Sequence, residues 1–100
     1  MSHGNSRKNT KPHHLYAIFD KEKDDLFKYG ISHDHIDADG LSDRMRNQIN
    51  FLNLAVDWQR YFGVILIRNI PNRLLALEIE DQHINAHKAK FGQKPKGNLR

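Results

Sequence analysis

Apolar and polar residues change rhythm several times along this chain, and each rhythm predicts one element. In LYAIFDKEKDDLFKYGIS, Leu15 to Ser32, two runs rich in β-branched and aromatic residues flank the charged loop DKEKDD, the pattern of a β-hairpin. Side chains alternate along a strand, so Leu15, Ala17 and Phe19 share one face, as do Phe27, Tyr29 and Ile31. Pairing the two odd faces makes one side of the hairpin wholly apolar, and that side is expected to face the core. The other, less buried side then carries Tyr16, Ile18, Lys28 and Gly30, which sets a tyrosine beside a lysine. A slip of one residue would move one strand's apolar set into water, so this register is strongly preferred.

From Leu41 to Val56 the period lengthens. Leu41, Met45, Ile49, Leu52 and Val56 form one apolar stripe at helical spacing, with Asp39 or Ser42 as a candidate cap. Arg44 and Arg46 fall on opposite flanks of that stripe, each about 100° from its centre. Periodicity does not choose between them, and either has an ordinary use as a side chain laid along the helix edge. Gln48 lies one turn beyond Arg44 on the same flank. After Asp57 and Trp58, the run YFGVILI (Tyr61–Ile67) is apolar without alternation, which predicts a strand covered on both faces and therefore central in its sheet. Asn69, Pro71 and Asn72 end it and open a second helix, about Asn72 to Lys90, with Pro in the first turn.

In that second helix Leu74, Leu77, Ile84 and Phe91 mark the apolar stripe. Glu80 falls inside the stripe, whereas Glu78 points well away. A carboxylate on a core-facing stripe is costly unless it is paired or holds a cation, so Glu80 is the first candidate for chemistry. A structural ion pair with an arginine is the competing explanation. The loop HDHIDADG, His33 to Gly40, is rich in metal-ligating types, but Asp and Gly also favour turns, and the spacing of a calcium loop is missing. His83 and His87 are spaced i, i+4 without the third ligand or the glutamate of a zinc motif. Residues 1–13 are polar, basic and aperiodic, a tail or linker stump in which His3 and His13 are expected to be solvated. The ending FGQKPKGNLR is expected to turn back off the helix.

Composition narrows the class. One hundred residues make one domain, here residues 14–100, and the absence of Cys excludes disulfides and thiolate metal sites. Sixteen Lys and Arg against twelve Asp and Glu give a net charge of +4, which suits a polyanionic partner. No apolar run is long enough for a membrane span and no signal peptide opens the chain, so export is expected only as part of a larger protein or by another route.

Taken together, these residues resemble the GIY-YIG (URI) endonuclease superfamily, over about His14 to Asn98. HLY at 14–16 stands where the family has Gly-Ile-Tyr, and KYG at 28–30, followed by Ile31 and Ser32, stands where it has Tyr-Ile-Gly. In LSDRMRNQ the family's helical arginine and the polar position four residues later fall on Arg44 and Gln48, which separates Arg44 from Arg46. In ALEIEDQHI the family's metal-binding glutamate falls on Glu80, and its late asparagine matches Asn98. His14 and Lys28 depart from the pattern. Some branches of the superfamily carry a lysine at the second position, so the chain reads as a divergent member.

The resemblance implies an α+β fold in which the hairpin and the Tyr61–Ile67 strand make a small, mainly antiparallel three-stranded sheet flanked by the two helices. It implies phosphodiester hydrolysis with one divalent metal, Mg²⁺ or Mn²⁺, held by Glu80. Arg44 would meet the transition-state charge, Tyr16 would position or deprotonate water, and Lys28 would add positive charge beside it. Tyr29, Gln48 and Asn98 are the expected substrate contacts. All four catalytic groups are expected within a pocket of roughly 10 Å. Similar compact domains close bacterial polymorphic toxins, which implies action in the cytoplasm of a target bacterium and an acidic immunity protein as partner. DNA is the preferred substrate, with RNA as the second. A phage or mobile-element nuclease and a catalytically inactive nucleic-acid-binding module of the same fold are the alternatives.

Overall fold

A three-stranded antiparallel sheet lies between two helices in the computed structural model, which describes residues 11–98. The order along the chain is β1 (His13–Asp20), β2 (Asp25–Ser32), α1 (Asp43–Val56), β3 (Tyr61–Ile70) and α2 (Arg73–Phe91). The sheet order is β2-β1-β3, so the first strand is central. The α+β architecture agrees with the expectation, and so does the odd-to-odd register: Leu15 faces Ile31 and Ala17 faces Tyr29.

Three features of the sheet differ from the sequence expectation. First, both faces of the hairpin are covered. Tyr16 and Ile18 pack with Met45, Ile49 and Tyr61 under α1, while Leu15 and Ile31 pack with Ile70 and Ala76 under α2. The Tyr16 face is therefore a second core and not a half-wet surface. Second, β3 is an edge strand despite its unbroken apolar run. Its inner positions Tyr61 and Ile65 join the α1 core, but Phe62, Val64 and Leu66 are exposed, because α2 lies mainly across β1 and β2. Third, a register shift between Ile18 and Phe19 leaves Phe27 without a partner across the hairpin, and its ring joins the Tyr16 face, edge-on to Tyr61.

Both helices are fastened by polar groups placed where backbone donors need them. The N-cap Ser42 makes no capping bond; Asp34 accepts the Arg44 N–H at 2.8 Å instead. Ser42 Oγ bonds the His14 imidazole at 3.0 Å, which ties β1 to the start of α1. In α2, Asn72 caps by accepting the Leu75 N–H, so Pro71 precedes the cap and does not sit in the first turn. The stripe of α2 also shifts. Ala76, Glu80 and Ile84 are its buried residues, and Leu74 and Phe91 are exposed. His13, expected in a solvated tail, is a buried member of β1 whose ring lies 5.3 Å from that of His33. His3 lies outside the described residues. Among the described residues, no helix is long and apolar enough to cross a membrane.

Two asparagines finish strands by imitating a neighbour. Asn53 of α1 accepts the Tyr61 N–H at 2.7 Å and donates to its carbonyl at 3.1 Å. Asn98, on the segment that returns after α2, does the same to Tyr29 of β2, both at 2.9 Å. Gly97 donates to the Phe27 carbonyl at 2.7 Å, so the return segment docks along the outer edge of β2. That edge would otherwise present unpaired backbone groups.

Candidate active site

Glycine 30 decides how the site is built. It faces Tyr16 across the hairpin, and a Cβ there would lie 2.3 Å from the tyrosine ring. With no side chain in the way, the Tyr16 ring leans from the central strand over β2, and its hydroxyl reaches toward the sheet's edge. Residues of β2 that point to opposite faces, Lys28 and Gly30 on one and Tyr29 and Ile31 on the other, line a single cavity there of about 510 Å³. The cavity follows the edge of the sheet. One helix from each face can therefore contribute to it.

From α1 comes Arg44 and from α2 comes Glu80, both lining the cavity with Tyr16 and Lys28. Glu80 is 4% exposed although it is ionisable. Burial pushes the Tyr16 hydroxyl above the ordinary tyrosine value; the charge and hydrogen bonding of Arg44 oppose the rise, and the charge of Glu80 adds to it. Near neutral pH the group is therefore a phenol. It donates to Gln48 Oε1 at 2.8 Å, which fixes the ring's tip against α1.

Of the expected substrate contacts, Tyr29 and Asn98 line the cavity, while Gln48 reaches it through Tyr16. The Asn98 amide is engaged at both ends with the Tyr29 backbone, which gives it a strand-closing task at the rim. The Tyr29 ring is edge-on to His83 at 5.2 Å, on the α2 side. The two arginines that periodicity could not separate have different surroundings. Arg46 is bound to Asp37, Asp39 and Asp43 at 2.9–3.1 Å and holds the 33–40 loop to α1. Arg44 opens on the cavity.

Three further residues line the cavity: Arg73, which carried no signal in the sequence, and His33 and Asp34, from the loop whose Asp and His content is equally that of a turn. Asp34 caps α1 through Oδ2, and its buried Oδ1 has no hydrogen-bond partner. Arg73 opens α2, and its Nε is likewise buried without a partner. Only the folded loop and helix start bring them to the cavity, so spacing along the chain could not reveal them.

The donor set suits a hard divalent cation. Glu80, a buried carboxylate, and Asp34 both line the roomy polar cavity, and among the described residues no group of three or more His, Cys, Asp or Glu is gathered as a metal cage. Mg²⁺ and Mn²⁺ accept one or two carboxylates and keep several waters. Arg44, Arg73 and Lys28 supply positive charge for a phosphate beside such an ion.

With this geometry established, comparison with known proteins gives one match. The model of a family described as URI fold toxin 2 matches residues 6–92. Neither the curated proteins nor the solved structures contain a match to the chain.

Proposed function

The chain belongs to the URI fold toxin 2 family, and from that premise we propose that it is a toxin module acting as a metal-dependent endonuclease, with DNA as the preferred substrate and RNA as the second. The observation that carries this reading is the convergence of Arg44, Glu80, Tyr16 and Lys28 on one cavity at the β2 edge, drawn from both faces of the sheet.

In this reading a backbone phosphate enters between Arg44 and Lys28. The planar guanidinium of Arg44 meets two of its oxygens and strengthens its hold as charge builds in the five-coordinate transition state. Glu80 would hold Mg²⁺ or Mn²⁺, which when bound polarises a phosphoryl oxygen and stabilises the leaving oxygen. Tyr16 is a phenol at neutral pH, so its part is to orient the attacking water by hydrogen bonding, and its ring is kept in place by Gly30 below and Gln48 at its tip. Arg73 extends the positive wall toward the next phosphate.

A toxin of this kind acts in the cytoplasm of its target cell, and its producer needs protection. The basic chain fits an acidic immunity protein that associates through electrostatic steering and slows as salt rises. The test of the activity is incubation of the purified domain with plasmid DNA and with total RNA, with and without Mg²⁺. Cleavage that depends on the metal is expected. Nucleic-acid binding with no cleavage of either substrate under any divalent ion would instead make the chain a binding module.

A further inference from the structure

Beside the cavity lies a second groove of about 460 Å³ of opposite character. Phe27, Phe51 and Leu52 form its apolar floor and wall, Lys28 and Lys96 flank it, and the return segment closes it at Gly97. Lys28 and Gly97 line the phosphate cavity as well, so the two are adjacent. Phe27 and Leu52 belong to the core packing, but Phe51 does not: it projects from α1 and is 74% exposed. Packing gives no reason for an aromatic ring there.

We propose that this groove is a stacking shelf for the nucleobase next to the scissile phosphate, and that the site consequently takes single-stranded or locally unstacked nucleic acid in preference to intact duplex. The inference rests on the nuclease reading. Its basis is the combination of an open aromatic face with two lysines at the mouth of a phosphate site. Every base offers a π-face to such a ring, and the cations follow the backbone on either side. In a duplex both faces of a base are already covered by its neighbours, so the shelf is reached only by a base that has left the stack. A base on Phe51 would place its own phosphate at Lys28, which borders both groove and cavity.

The test is fluorescence anisotropy with a labelled 12-mer single strand and the duplex of the same sequence, in EDTA so that no cleavage occurs. Wild type, Phe51→Ala, Phe51→Trp and Leu54→Ala are compared as intact chains. Leu54 is 80% exposed on α1 and does not line the groove, so it controls for loss of general apolar surface. Wild type is expected to prefer the single strand. Phe51→Ala should weaken single-strand binding about tenfold, change duplex binding little and leave the thermal melt unaltered; Phe51→Trp should keep the affinity. An unchanged single-strand affinity in Phe51→Ala, equal losses for both strand forms, or an equal loss in Leu54→Ala would overturn the shelf; the last would point to an apolar protein-docking face instead. The nuclease reading is separated from these outcomes by the Mg²⁺ cleavage assay on wild type. Cleavage with no effect of Phe51→Ala removes the shelf alone, whereas wild type that neither binds nor cuts removes both.

Discussion

Among the described residues two acidic side chains, Asp20 and Glu80, are buried, and they are held differently. Asp20, 6% exposed, closes the hairpin end of the sheet. Its Oδ1 accepts Arg60 Nε at 2.8 Å and the backbone N–H groups of Glu22 and Lys23, and its Oδ2 accepts Arg60 Nη2 at 2.8 Å. The hydrogen bonds from Arg60 hold its carboxyl below the usual aspartate value. Glu80 is as deeply buried, but it faces a polar cavity with Arg44, Lys28, Arg73 and a phenol around it. Burial of a charge is therefore no mark of function by itself. Asp20 also borders a cavity, of about 480 Å³; what separates the two is that both Asp20 oxygens are engaged by Arg60 and the turn, whereas Glu80 shares its cavity with the cations and the phenol.

Removing the cavity's charge should have the largest effect. Arg44→Ala is expected to lower nuclease activity about 10²-fold or more with the fold retained, measured as kcat/KM at saturating Mg²⁺ alongside a thermal melt. A variant that melts early and regains activity on cooling would mean that Arg44 belongs with Arg60, as a structural charge.

Gly30→Ala comes next and bears on the way Tyr16 is brought to the edge. The added methyl must displace the ring, so a destabilisation of about 1–3 kcal/mol, the usual cost of overpacking, should accompany a loss of activity. Urea denaturation gives the first quantity and cleavage the second. Activity preserved in full would show that the ring's lean over β2 is not needed.

Asp20→Asn should divide stability from function in the other direction. Because the folded carboxyl titrates below its ordinary value of 3.8, the unfolded chain binds more protons in the window between the two values. The contribution of Asp20 is thus complete above that ordinary value and lost as pH falls through the window. Wild type should lose stability there more steeply than Asp20→Asn, by thermal melts from pH 6 downward, while cleavage at neutral pH is nearly equal in the two at a temperature where both are folded. The smallest effect on activity is expected from Arg46→Ala, which frees the 33–40 loop from α1 but leaves the cavity's own charges in place. Hydrogen exchange of that loop should rise while the cleavage rate stays within a few-fold of wild type.

The sequence disclosed the elements and the burial of Glu80 because local rules govern both. Alternation set the Leu15–Ile31 register, helical spacing set the α1 stripe, and a carboxylate out of place in a stripe marked Glu80. What escaped it depends on the order in which distant pieces assemble. The apolar run of β3 promised a central strand, yet the centre fell to β1, since α1 and α2 took opposite faces of the hairpin and α2 left Phe62, Val64 and Leu66 in the open. Phe27 changed face through a bulge that alternation does not anticipate. His33, Asp34 and Arg73 reach the cavity through a loop and a helix start, and no period relates them to Glu80. Asn98 was legible as a residue but not as a strand mimic, because its partner backbone lies 69 residues away.

The most direct test sets the two carboxylates against each other. Single-turnover cleavage of one plasmid is measured in Mg²⁺ for wild type, Glu80→Gln and Asp20→Asn, each corrected for its folded fraction at the assay temperature. The expected result is a loss of about 10²-fold or more in Glu80→Gln, the size seen when a site loses metal or transition-state charge, and a rate near that of wild type in Asp20→Asn. Comparable losses in the two, or a Glu80→Gln domain that cuts as fast as wild type, would contradict the assignment of the β2-edge cavity as the catalytic centre.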